Sequence, residues 1–133
     1  MTLRKITIIK INKLPRDNVN ENLQWFSNSL GLFGNRDKEK SCFRVFLEIL
    51  KVSKNNKGIS SEQIAIRSNL SRATVVHHLN TLNETGLIIS KNKRYFLRVE
   101  NLEELVETIK SEADDVLKEL KKTAKDLDDE LGL

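Results

Sequence analysis

The spacing of apolar residues changes several times along the chain, and each change marks an element. Residues 2–11 are rich in Ile and Thr and predict a strand, which Pro15 ends. Val19, Leu23, Phe26 and Leu30 then recur at i, i+4, i+7 and i+11, one face of a helix, with Gly31 placed for a left-handed C-cap and apolar Leu32 after it. Trp25 falls off that stripe, as a half-buried edge residue or a partner contact. Asp37 can cap a helix reaching about Ser53. Cys42, Phe43, Val45, Phe46, Leu47, Ile49, Leu50 and Val52 cover most of its circumference, leaving only Arg44, Glu48 and Lys51 as a polar strip. A helix so apolar is packed on several sides, so it should be central, with either the helix at 18–30 or a second subunit against it.

A polar turn at 54–58 leads to two short helices. Ser60 and Gln63 form a capping box for the first, which places Ile64 and Ala65 inward and stops near Ser68 and Asn69. Asn tolerates the left-handed conformation of a tight interhelical turn. Leu70 points back to the core and Ser71 caps the second helix, whose buried stripe is Val75, Leu79 and Leu82 and whose end is Gly86. This is a helix-turn-helix pattern. Residues 87–90 and 95–99 read as strands around a Lys91-Asn92-Lys93-Arg94 tip, a hairpin in the position of a wing.

Asn101 with Glu104 forms another capping box, opening a helix of nearly 30 residues. Leu102, Val106, Ile109, Ala113, Val116, Leu120, Thr123 and Leu127 alternate in steps of four and three, as a coiled-coil seam does. Ala113 and Thr123 make it modest. Pairing with a second copy is favoured over folding back on the helices at 18–53. The fold class expected is mainly α (α+β). Residues 1–35 form an N-terminal extension, 36–100 a winged helix-turn-helix domain and 101–133 a dimerisation helix.

Charge adds a direction. Residues 1–100 carry 18 Lys/Arg and 8 Asp/Glu, a balance of +10, whereas residues 101–133 carry 5 and 11, a balance of −6. A basic body with an acidic tail suits a polyanionic partner for the body, although uneven solvation of two surfaces gives the same split. The single cysteine, Cys42, allows no internal disulfide and no cysteine cluster for a metal, and reads as a buried packing residue. No apolar run approaches a membrane span and the N-terminus lacks a signal-peptide block, so a cytoplasmic location is expected. Phosphate-cradling glycine loops, metal-ligand spacings and nucleophile elbows are absent from the sequence, which argues against an enzyme. No cofactor is indicated; a small-molecule effector is left open, since the apolar helix at 37–53 beside the helix at 18–30 can line a cavity, although a filled core is favoured.

Leu70-Ser71-Arg72-Ala73-Thr74-Val75-Val76-His77-His78-Leu79, followed by Leu82 and Gly86-Leu87-Ile88, closely resembles the ArsR-type winged-helix repressors, with MarR-like regulators as near relatives. The whole chain resembles small archaeal winged-helix regulators through Leu-Gly-Leu-Phe at 30–33, Arg-Asp-Lys at 36–38 and the long last helix. The resemblance implies a dimeric transcription regulator that binds double-stranded DNA. Metal sensing is not implied: cysteine pairs are missing, and the last helix has Asp114 and Asp115 but no histidine. Ser68 and Ile66 also depart from the pattern, Ser68 being polar where relatives are apolar and Ile66 the reverse.

On this reading the helix at 71–85 enters the major groove, presenting Ser71, Arg72, Ala73, Thr74, His77 and Thr81. The tip, Lys91, Asn92, Lys93 and Arg94, lies on the backbone or enters a minor groove. Lys54 and Lys57 can add phosphate contacts. His78 reads as a partly buried structural histidine, because adjacent helical residues point about 100° apart and make a poor metal pair. A two-fold dimer would meet half-sites about 34 Å apart. The competing expectation is a winged-helix protein-interaction module in a transcription or replication assembly, which off-stripe Trp25 and Ile66 favour.

Overall fold

The computed structural model describes residues 7–11, 18–31, 41–55 and 57–133. In them the order is α1 (Val19–Ser29), α2 (Ser41–Lys51), a 3-10 turn (Ser53–Asn55), α3 (Ser61–Ser68), α4 (Arg72–Glu84), β1 (Ile88–Lys91), β2 (Arg94–Leu97) and α5 (Leu102–Leu131). This is the winged helix-turn-helix arrangement: helices, then a two-stranded antiparallel hairpin, then a long C-terminal helix. The chain divides into two compact units, Leu3–Arg98 and a second formed chiefly by Val99–Leu133.

Within the first unit α2 is central, touching α3, α4 and β2. Val45, Phe46 and Ile49 are fully buried, as are Ile64 of α3, Val75, Leu79 and Leu82 of α4, and Leu87 and Ile88 at the start of the hairpin. Such a core is the main favourable term holding the domain. Two of the three residues in the polar strip of α2, Arg44 and Glu48, are drawn inward, while Lys51 stays exposed. Arg44 Nη2 donates to the Ser68 carbonyl, one of the orphan acceptors at the end of α3, and buried Glu48 accepts from Lys51 Nζ at 3.3 Å. Ser68 itself is buried, its hydroxyl donating to Ile64 O at 2.6 Å, which explains how a polar residue stands where an apolar one is usual. Leu70 is only half-buried, short of the core position its sequence suggests.

Local capping signals hold the two short helices. Ser60 and Gln63 make both bonds of the capping box at 3.2 Å, and Asn69 adopts the left-handed conformation (φ 56°) between the helices. Ser71 Oγ accepts from Thr74 N at 3.2 Å, capping α4.

Two expectations for the N-terminal region need correction. The described part of the expected strand, residues 7–11, is irregular: its Ile9 N–H donates to Ser29 O at 2.7 Å, at the end of α1, rather than to a neighbouring strand. Residues 2–6 of that expectation lie outside the described residues, as do Leu32 and the Asp37 cap. The α1 stripe is also not uniformly inward, for Val19 is 71% exposed while Ser27 is fully buried. Asn18 caps α1, and Gly31 (φ 61°) ends it as expected, with Thr7 O only 2.9 Å from where a Cβ would sit. Trp25 is half-buried, and its Nε1 donates to Ile11 O at 3.1 Å.

In the second unit Asn101 Oδ1 accepts from Glu104 N at 2.7 Å. The return bond of the capping box is shifted: Glu104 Oε2 accepts from Glu100 N at 2.9 Å, one residue earlier than the motif requires. Thirty residues of helix follow, about 45 Å at 1.5 Å per residue. Leu105, off the expected seam, is buried, as is Ile109. Leu102 and Ala113 are half-buried, whereas Val106, Val116, Leu120 and Leu127 are exposed. Among the described residues no helix is long and apolar enough to cross a membrane.

Candidate nucleic-acid interface

The burial of Val75, Leu79 and Leu82 fixes which way α4 faces. At about 100° per residue, the direction opposite those three falls on Ala73, His77, Asn80 and Glu84. All four are exposed. Arg72 and Val76 flank this face on one side, Thr81 and Thr74 on the other. Arg72, Ala73, Val76, His77 and Asn80 together line a shallow, open depression.

The two threonines contribute less than their spacing suggests. Thr74 is half-buried and its Oγ1 accepts from Ser71 Oγ at 2.8 Å; Thr81 Oγ1 donates to His77 O at 3.2 Å, one turn back in its own helix. Ser71 serves as cap. Arg72 is exposed and stands 3.7 Å from the Glu62 carboxylate of α3, a pairing between exposed groups that contributes little to stability and leaves the guanidinium accessible. The sequence reading omits Val76 and Asn80. A helical wheel centred on the buried triad would have found Asn80; Val76, an apolar residue, carries no such signal.

His78 lies between faces. It is half-buried and a 2.7 Å hydrogen bond joins its Nε2 to Ser41 Oγ, tying α4 to the start of α2. The His77 and His78 rings are 5.4 Å apart and tilted 56°, so the two are neighbours with different surroundings. Among the described residues no group of three or more His, Cys, Asp or Glu is placed to hold a metal ion.

The hairpin pairs Ile88 with Leu97 through Lys91 with Arg94, and Asn92 and Lys93 form its two-residue turn with φ of 54° and 62°. Positive φ at both central positions marks a type I′ turn, whose twist matches the strands. Ile59 adds a third, single-residue partner by exchanging backbone bonds with Tyr95 at 2.8 and 3.1 Å. Arg94 Nη1 donates to Lys57 O and Gly58 O at 3.4 and 3.3 Å, so this cation braces the base of the wing. Lys91, Asn92 and Lys93 project from an exposed tip.

Lys93 holds a conformation that L-residues with a Cβ adopt at a cost of about 1–2 kcal/mol. Lys93→Gly relieves it, less the extra unfolded-state freedom of Gly, and should raise stability by about 0.5–1 kcal/mol in denaturant titration. A fall in stability would show that the lysine side chain supports the fold.

Residues 46–96 match a family model described as an HTH domain. The match runs from the middle of α2 through α3 and α4 into β2, the segment that folds as the helix-turn-helix and its wing. No curated protein and no solved structure matches the chain.

Proposed function

We propose that this helix-turn-helix domain makes the chain a sequence-specific, double-stranded DNA-binding transcriptional regulator that works inside the cell as a homodimer. In this reading α4 lies in the major groove, which admits an α-helix and displays a distinct donor and acceptor pattern for each base pair. The wing tip then follows the backbone or enters the minor groove. One observation carries the reading: among the described residues the face of α4 opposite its buried stripe is exposed, with the Lys91 and Lys93 tip carried by the strand that follows α4. The ArsR-type string at 70–88 and the HTH match support the same assignment. The chemistry is binding and not catalysis.

The two contact types predict different mutant behaviour. Arg72→Ala should relax sequence preference, whereas Lys91→Ala should weaken all duplexes by a similar factor and flatten the salt dependence by about one phosphate. Lys93→Gly should lose affinity in the same uniform way while gaining stability. Fluorescence anisotropy on a panel of duplexes separates these outcomes. Parallel effects from Arg72 and Lys91 would contradict the division of roles.

Dimerisation is assigned to α5. Val106, Val116, Leu120 (58% exposed) and Leu127 (48% exposed) leave the expected seam uncovered in the single chain, and Leu117 and Leu131 are exposed with them. Pairing with a second copy removes this apolar area from water. Leu120→Asp with Leu127→Asp should yield a folded monomer by sedimentation equilibrium. A dimer that survives both changes would place the interface elsewhere.

A protein-interaction module is the second reading. Ile66, 80% exposed on α3, favours it, since an apolar side chain this open gains from a partner. Weak duplex binding indifferent to salt would support that reading over DNA recognition.

A further inference from the structure

We infer that Asn80 is a base-reading residue that selects adenine, and that Val76 beside it contacts a thymine methyl, so that each half-site contains an A·T pair under the middle of α4. The inference rests on the DNA-binding reading above and adds to it the base class that the helix recognises.

Three observations point there. Asn80 lies on the exposed face opposite Val75, Leu79 and Leu82, so its side chain is open to whatever approaches the helix. It is the ninth residue of α4, about 12 Å along the axis from Arg72, near the middle of the helix rather than at a cap. Asn is a poor helix former, and mid-helix it contributes nothing to capping. Its carboxamide offers one acceptor and two donors in a plane, the geometry that pairs with adenine N6 and N7.

Val76 stands one turn before Asn80 and lines the same depression. It is 39% exposed, and a β-branched apolar residue on an open helix face has no solvation reason to be there. Residues at i and i+4 have Cβ atoms about 6 Å apart, within the reach of one or two stacked base pairs. Apolar contact is how a thymine 5-methyl is distinguished in the major groove. The threonines at the edges of the face, with Thr74 half-buried and both hydroxyls engaged inside the helix, are the less available readers.

Selection of bound duplexes from a random pool by the full-length protein supplies the motif. Asn80→Ala, checked for folding by its melting curve, should then lose preference at one adenine while keeping the remaining positions. Replacing that adenine with 7-deazaadenine, which removes the N7 acceptor and keeps the N6 amine, should weaken the unmodified protein about 2- to 13-fold, the loss of one hydrogen bond, and leave Asn80→Ala nearly unaffected. Replacing the neighbouring thymine with uracil should cost the unmodified protein about fourfold and leave Val76→Ala unchanged. An unaltered adenine preference in Asn80→Ala, or indifference of the unmodified protein to 7-deazaadenine, overturns the inference while DNA recognition stands. No duplex binding at any salt concentration overturns the DNA reading, and the inference with it.

Discussion

Raising monovalent salt from 50 to 200 mM should weaken duplex binding by the proposed dimer about 10²- to 10³-fold. The expectation follows from counting exposed cations at the wing. Lys91 and Lys93 are open on each copy, and Arg94 is exposed although one of its nitrogens braces the 57–58 turn. Two copies would bring roughly four to six cations to phosphates, and each neutralised phosphate contributes about −0.9 to the slope of log K against log salt. The slope should be about −4 to −5, measured by anisotropy on one duplex over that range. A slope near −1 would mean that the wing does not touch the backbone. The acidic balance of residues 101–133 adds nothing favourable to this count, so deleting charge there should leave the slope nearly unchanged.

Gly58→Ala should be among the most destabilising single-methyl additions in the domain. Gly58 has φ +68°, and a Cβ built on it falls 2.6 Å from the tip of the Phe96 ring. The left-handed backbone costs about 1–2 kcal/mol with a side chain present. Displacing a half-buried ring adds about 1–3 kcal/mol, as overpacking does elsewhere. The melting temperature should fall by about 10 °C or more, given about 4–8 °C per kcal/mol for a domain of this size. The wing should suffer with it, because Gly58 O accepts from Arg94 and the next residue, Ile59, bridges to Tyr95. Gly132→Ala is the control: its φ is +70° but nothing lies within 4 Å of the added carbon. Calorimetry of both variants isolates the ring contact, and equal losses would remove it as a cause.

Signals confined to a few residues were readable directly. Ser60, Ser71 and Asn101 each satisfy a backbone N–H three residues ahead, and Asn69 supplies the left-handed link between α3 and α4. The stripe Val75, Leu79, Leu82 was readable because helical periodicity alone brings those residues to one side. Less was legible where a residue's role depends on a distant partner. Glu48 and Arg44 look like a solvated strip until α3 presents the Ser68 carbonyl to Arg44. Arg94 reads as a third tip cation, but the fold returns it to the 57–58 backbone. The Ile and Thr run near the N-terminus has strand composition, yet the edge a strand requires is not what residues 7–11 meet; Ile9 meets the end of α1.

By itself the sequence determined the order of the two short helices and the hairpin and the position of α4, because caps, turn residues and apolar period act over one or two turns of chain. Only the tertiary structure decided that Arg44 turns to the end of α3, which cations remain at the wing tip, and that Ile59 joins the hairpin. Those outcomes depend on contacts between residues some 24 to 37 positions apart, and burial by a partner element, not local propensity, settles where each side chain points.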